Sequence, residues 1–412
     1  MSDDATAAAA AATTTTARDA EATRQLVLAT VAFTVCFFAW SLLGPLAPDL
    51  QDDLGLSNFE SSVMVAVPVL LGSVMRIPLG WLTDRLGGRP IFIALMAFTV
   101  LPLLGLIVWH DSLGVLLLFG LLLGLAGASF AVGVPMVNGW YPPARQGFAL
   151  GVYGMGMGGT TLAGLIAPRM GSITAPFWVA IGALLVTMAL FVAFARDAPR
   201  PPREGPAPGM FAALGIFKTS GRAWALTLFY FLAFGGFVAM FLYLPKLLTG
   251  VHHLSKSDAG ARAAGFALLA VIGRPTGGWL SDRIGAARVL HVCFVGTAVL
   301  AAVLAFTYKH MVPLTIACLA MAVVLGLGTG AVFKLVPDWF PDRVGSVTGV
   351  VGAAGGLGGF FPPLVMGVVK SATGNFIIGF LLMALVAVVC ELVLSVVMRS
   401  KAAQPAVRAR SA

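Results

Sequence analysis

Apolar residues run along this chain in long blocks parted by short polar joints. Blocks of about 20 residues, each enough to cross a ~30 Å hydrocarbon core, fall at 26–46, 62–82, 90–109, 113–137, 147–168, 174–195, 223–248, 260–281, 288–307, 312–333, 345–369 and 375–398. They are too long for barrel strands and lack the alternating polar period of one. The pattern predicts an all-α polytopic membrane protein of twelve transmembrane helices. Composition agrees: 59% of the 412 residues are hydrophobic and only 10% are charged, far too few charges to wet a soluble surface of this size.

The net charge of +9 raises the question of a nucleic-acid partner, and its placement answers it. With both termini in the cytoplasm, one side of the membrane collects Arg85, Arg89, Arg145, Arg196, Lys218, Arg222, Arg283, Arg288, Arg343 and Arg399, together with basic residues of both tails and the central joint. The other side has only Arg169, Lys246, Lys256, Arg262, Lys309 and Lys370. Such asymmetry orients membrane proteins, so the basic balance reflects topology, and no nucleic-acid partner is expected. Residues 1–22, rich in Ala and Thr, read as a disordered cytoplasmic tail. The Pro-rich stretch DAPRPPREGPAPGM from Asp197 places a cytoplasmic linker at 197–220, between six-helix halves at 23–196 and 221–399. Residues 400–412 read as a basic cytoplasmic tail. Cys36, Cys293, Cys318 and Cys390 lie in apolar spans without metal-ligand spacing. His252 and His253 read as solvated, and neither a metal nor a cofactor is expected.

An internal repeat gives the architecture. RIPLGWLTDRLGGR from Arg76 recurs as RPTGGWLSDRIGAAR from Arg274: Arg76, Gly80, Trp81, Leu82, Asp84, Arg85 and Gly87 return as Arg274, Gly278, Trp279, Leu280, Asp282, Arg283 and Gly285 at one constant offset. WYPPARQGFALGVYG from Trp140 likewise returns as WFPDRVGSVTGVVG from Trp339, one residue shorter. Two six-helix halves about an axis along the membrane normal, with a site between them, describe the major facilitator fold. The G-W-L-x-D-R-x-G loop resembles that superfamily's signature. Asp84, Arg85, Asp282 and Arg283 are expected to gate conformation as solvated loop charges.

Arg76 lies eight residues before Asp84, hence about 12 Å deeper in the membrane at 1.5 Å per residue. Arg274 sits at the matching depth in the other half. A central Arg costs roughly 2.5–3.5 kcal/mol to insert and ordinarily faces a partner. Acidic residues fall in loops and tails, with Glu391 the clear exception, and one carboxylate on a peripheral helix cannot neutralise two arginines. Snorkelling, or bonds to carbonyls freed by Pro78 and Pro275, is the structural alternative. A repeat-matched pair argues instead that the missing counter-charge is the substrate, since two planar guanidinium forks suit a small planar oxyanion.

The fifth span holds GVYGMGMGGTTLAG and the eleventh GVVGAAGGLGGFFPP. No strand precedes them and no GK[ST] follows, so they are not nucleotide loops. Glycine lets helices approach closely and slide, and Gly154, Gly156, Gly158, Gly352, Gly355 and Gly356 are candidates to line the path. Together with G-S-V-M-R-I-P around Arg76, G-A-S-F-A around Phe130, F-Y-F-L-A-F-G around Tyr230 and G-R-P around Arg274, these spans resemble the nitrate/nitrite porters of the major facilitator superfamily over nearly the whole chain beyond residue 25. The resemblance implies that Arg76 and Arg274 bind the anion, that Phe130 and Phe234 sandwich it, and that Tyr230 bonds near it. One departure is Met157, where many relatives carry Asn; it removes a polar contact near the substrate.

These readings predict a monomeric inner-membrane carrier that imports nitrate, with nitrite as a second substrate, by alternating access. Proton-linked uptake is favoured over nitrate/nitrite exchange. The alternatives are a carrier of another small anion and, from another class, a membrane-embedded enzyme or sensor. The last would need a nucleophile–base pair, a metal cluster or a soluble effector domain, and the sequence offers none.

Overall fold

The computed structural model describes residues 2–199, 209–373 and 376–399. Residues 200–208 of the expected linker and the expected tail 400–412 lie outside the described residues. Among the described residues twelve long helices follow one another: α1 Arg18–Ser41, α2 Phe59–Leu86, α3 Gly88–Val108, α4 Leu113–Asn138, α5 Pro143–Arg169, α6 Ala175–Phe194, α7 Gly221–His252, α8 Lys256–Ile284, α9 Ala286–Thr307, α10 Met311–Trp339, α11 Val344–Thr373 and α12 Ile377–Arg399. Ten are long and apolar enough to cross a membrane. The other two, α8 and α11, have 29 and 30 residues, about 44 and 45 Å at the α-helical rise.

Leu101, Val186, Val292, Phe306, Val312 and Val396 stand exposed on the outer surface, as helices bathed in lipid require. Between the helices the packing is close. The four cysteines are buried and unpaired. Helix ends follow local chemistry: Ser57 and Glu60 form a reciprocal capping box at the start of α2, which satisfies orphan N–H groups. Gly87 and Gly285 turn the chain from α2 into α3 and from α8 into α9 with φ of 101° and 92°. Residues with a Cβ avoid that region, which accounts for the glycine closing both copies of the repeated loop.

The helix that contains α1 begins at Ser2, within the stretch expected as a tail. In its described part Thr23 Oγ donates to the Asp19 carbonyl and Arg24 pairs with Glu21. Alanine-rich composition is low in complexity but also the strongest helix former. His252, expected to be solvated, is half-buried with Nε2 2.9 Å from the Tyr308 carbonyl oxygen; His253, which ends α7 in the left-handed conformation at φ 54°, is exposed. The linker begins tied down, because the Asp197 carboxylate accepts from the N–H groups of Gly88 and Arg89 at 2.7 and 3.1 Å. Its far end carries two short helices, Met210–Leu214 and Ile216–Thr219.

Candidate functional site

The two halves meet along two seams, α2 with α11 and α5 with α8. Each seam is held near the repeated loop by a carboxylate from one half capping a helix of the other. Asp84 accepts from the N–H groups of Gly345 and Ser346 at 2.8 and 2.7 Å and from Ser346 Oγ at 2.8 Å. Asp282 accepts from the N–H groups of Gly147 and Phe148 at 2.9 and 2.8 Å. Gly147 and Gly345 are related by the same offset as Asp84 and Asp282. A carboxylate at a helix N-terminus satisfies orphan donors and meets the positive end of the helix dipole.

These aspartates are therefore interhelical caps, with the Asp282 side chain 5% exposed, not the solvated loop charges expected. Arg85 and Arg283 take no part in the caps; their guanidinium groups lie over the rings of Trp81 and Trp279, 5.6 and 4.2 Å from the centroids.

The second seam has an extra tie that sequence reasoning missed. Lys334, in α10 and almost fully buried, donates to the Pro143 carbonyl. It also lies 3.5 Å from Asp282 Oδ1 and 3.1 Å from Asp338 Oδ1. The lysine and Asp338 stand four apart on one helix face, the spacing that brings such side chains together. That spacing was the available signal.

Deeper along the seams stand the two arginines, each 4% exposed. Arg76 donates through Nε to the Gly127 carbonyl at 3.2 Å and through Nη1 to the Gly352 carbonyl. Arg274 donates through Nη1 to the Gly154 carbonyl at 3.1 Å and through Nη2 to Met157 Sδ at 3.4 Å. Gly154 and Gly352 match at the repeat offset, so each arginine reaches across to the glycine-rich helix of the opposite half. The backbone is irregular here: a 3-10 turn at Gly124–Ala128 inside α4, another at Met155–Gly158 inside α5, and a π turn at Phe231–Gly235 inside α7. Where α-helical bonding gives way, carbonyls open to side chains.

Carbonyl dipoles hold the guanidinium forks without neutralising them. Among the described residues the ion pairs leave both arginines without a carboxylate within 4.0 Å. Glu391 is committed elsewhere, 2.5 Å from His291 Nδ1.

An aromatic column runs beside the arginines. Phe130 stacks on Tyr230 at 6.3 Å and 4°, and Tyr230 on Phe234 at 5.2 Å and 9°. Tyr230 stands beside the Arg274 guanidinium, which lies 5.6 Å from the Phe234 centroid. Phe333 meets both Phe130 and Tyr230 edge-on at 4.6 Å. It was not anticipated, because a phenylalanine in an apolar helix carries no pattern of its own. Glycine makes room for the column: a Cβ on Gly355 would sit 2.3 Å from Tyr230 Cδ1.

The six glycines singled out from the sequence divide. Gly154 and Gly352 supply carbonyls to the arginines, while Gly355 and Gly356 pack against Tyr230 and Ser73. Gly156 lies against Phe33 of α1, away from the arginines, and a Cβ on Gly158 would meet nothing within 4 Å. Gly147, Gly151, Gly154 and Gly158 form one stripe of α5. The first three touch Gly278, the Arg274 backbone and the Arg274 side chain of α8. Near the repeated loops both seams are closed by the aspartate caps.

Comparison with known proteins accords with this geometry. The family model described as Major Facilitator Superfamily matches residues 29–262 and 247–412. The chain is 46% identical over 374 residues to the probable nitrate/nitrite transporter NarK2 of Mycobacterium tuberculosis (strain ATCC 25618 / H37Rv), covering 88% of this chain and 93% of the relative. It is 36% identical over 365 residues to the nitrite extrusion protein of Bacillus subtilis (strain 168), covering 88% and 91%. Among solved structures, FucP in the outward conformation aligns with a TM-score of 0.73 at 18% identity, over 90% of this chain and 98% of that one. The human organic anion transporter MFSD10 aligns at 0.77 and 16%, over 90% and 99%.

Proposed function

Because the chain belongs to the nitrate/nitrite porters of the Major Facilitator Superfamily, we propose that it is a secondary active transporter that imports nitrate, with nitrite as a second substrate. The observation that carries this reading is the arginine pair. Two buried guanidinium groups, one from each half, stand beside one aromatic column without a carboxylate within 4.0 Å among the described residues. A guanidinium does not deprotonate in proteins, and a buried unpaired charge is strongly unfavourable. A small planar oxyanion between them supplies the counter-charge, accepts from both forks and fits flat against the stacked rings. The names of the curated relatives point to the same class of substrate.

Transport then proceeds by alternating access. The loop side, which the charge asymmetry assigns to the cytoplasm, is sealed by the Asp84 and Asp282 caps. An anion entering from outside draws the arginines together, and release inward requires both caps to break. The protein sits in the inner membrane with both termini cytoplasmic, and each monomer holds a complete site.

Anion entry opposes the membrane potential by about 2.3 kcal/mol per charge per 100 mV, so uptake is linked to another flux. Proton symport is the first reading, with the Tyr230 hydroxyl beside Arg274 as its relay. Exchange for internal nitrite is the second, favoured by the absence of a carboxylate within 4.0 Å of either arginine among the described residues. Proteoliposomes decide between them. Under an inward proton gradient, symport gives nitrate accumulation in nitrite-free vesicles that a protonophore abolishes. Uptake only after nitrite is loaded inside establishes exchange, and no nitrate flux under either condition refutes the substrate.

A further inference from the structure

Hydroxyls within these helices characteristically bond back to their own preceding turn. Thr30, Thr34, Thr83, Thr99, Thr227, Thr249 and Ser281 each donate to the carbonyl four residues earlier. In an apolar helix this is the ready way to satisfy a hydroxyl. Ser73, one turn before Arg76 on α2, departs from the pattern, as do Ser129 and Thr348, and of the three it is the one set against Gly356 beside the arginine. It is 2% exposed, and its Oγ finds no hydrogen-bond partner among the described residues. The side chain is turned across the seam toward α11: a Cβ on Gly356 would lie 2.3 Å from Ser73 Oγ and 3.3 Å from Arg76 Nη1. Glycine at 356 therefore leaves room for the hydroxyl beside the guanidinium.

An unbonded buried hydroxyl carries a desolvation cost, and its setting indicates what repays it. The neighbouring cation attracts the oxygen lone pairs of Ser73, which leaves the freely rotating O–H to point at an anion on the same guanidinium. Repeat symmetry sharpens the case. The position matching Ser73 in the second half is Val271, which has no hydroxyl, yet Arg274 has one beside it from Tyr230.

We propose that Ser73 donates directly to the transported anion, so that each half offers the substrate one guanidinium and one hydroxyl: Arg76 with Ser73, and Arg274 with Tyr230. The inference rests on the nitrate reading above and adds a binding residue to it. A planar trigonal anion has an oxygen for each fork and a third that the hydroxyls share.

The test is Ser73→Ala in purified protein and in proteoliposomes. A hydrogen bond to a charged group is worth enough that the half-saturation concentration for nitrate rises on the order of tenfold, with a much smaller change in maximal rate. Without ligand, the melting temperature of the variant equals or exceeds that of the wild type, because an unpartnered buried hydroxyl has gone. The rise in melting temperature that nitrate induces shrinks. Ser73→Thr keeps the hydroxyl and recovers affinity. Unchanged nitrate affinity in Ser73→Ala overturns the proposal, as does a lower ligand-free melting temperature with affinity retained, which marks a packing role. A wild-type protein that neither nitrate nor nitrite stabilises overturns the substrate reading itself, and so is distinguishable from a failure confined to Ser73.

Discussion

Arg76→Lys and Arg274→Lys keep a positive charge at each place and remove the planar fork. A lysine cannot make the paired contacts a guanidinium makes to an oxyanion, nor can it hold the Gly352 or Gly154 carbonyl in the same geometry while doing so. Each variant is expected in the membrane at normal level with nitrate uptake reduced about a hundredfold, on the scale of a lost charge-assisted pair. Radiotracer or nitrate-electrode uptake normalised to protein measures it. The arginines were legible because two intramembrane charges recurred at one repeat offset. Phe130, Tyr230 and Phe234 were legible only through family resemblance, and their stacking now places them on one column. Phe333, Ser73 and Lys334 escaped, since each matters through the direction its side chain takes across a seam, which composition and spacing do not encode.

At the scale of elements, the two seams are built alike and tied unequally. Both have a carboxylate capping a helix of the other half, but only α5–α8 adds the buried ammonium of Lys334 on the Pro143 carbonyl. The fourth helix, the repeat partner of α10, has no charged residue with which to copy it. Lys334→Met and Asp282→Asn are expected to loosen the inner seal more than Asp84→Asn does, because breaking a buried ion pair leaves an uncompensated charge. The readout is a cysteine at position 158, one turn beyond Gly154 on the α5 stripe, where an added Cβ meets nothing within 4 Å, labelled by a thiol reagent added from outside. Its labelling slows about tenfold or more in Lys334→Met, the scale of one lost charge-assisted bond, and less in Asp84→Asn. Native cysteines are buried and keep the background low. Helix existence was readable from apolar run length, and the sharp stops at Gly87 and Gly285 from the repeat. The 3-10 and π turns that free the site's carbonyls were not, because glycine-rich helix and glycine-rich irregular turn share one composition.

For the whole molecule, orientation is the claim most open to a direct check. Reporter fusions at residue 205 and at the C-terminus should both report the cytoplasm, as the basic residues flanking the spans require; a periplasmic signal from either reverses the assignment of the sealed side. The division into halves could be read from sequence because duplication left matched motifs in both. The sealed state could not, because it depends on contacts between positions such as Asp84 and Gly345 that neither half contains alone.

Those contacts also bear on what the covalent joint between the halves is for. The two caps, the Lys334 tie and both arginine–glycine bonds all cross from one half to the other without using residues 200–208. Asp197, which fastens α3, stays with the first half. The protein is thus chemically a heterodimer that happens to be encoded as one chain. Polypeptides 1–199 and 209–412, made together in one cell, are expected to pair in the bilayer and restore nitrate uptake that neither supports by itself.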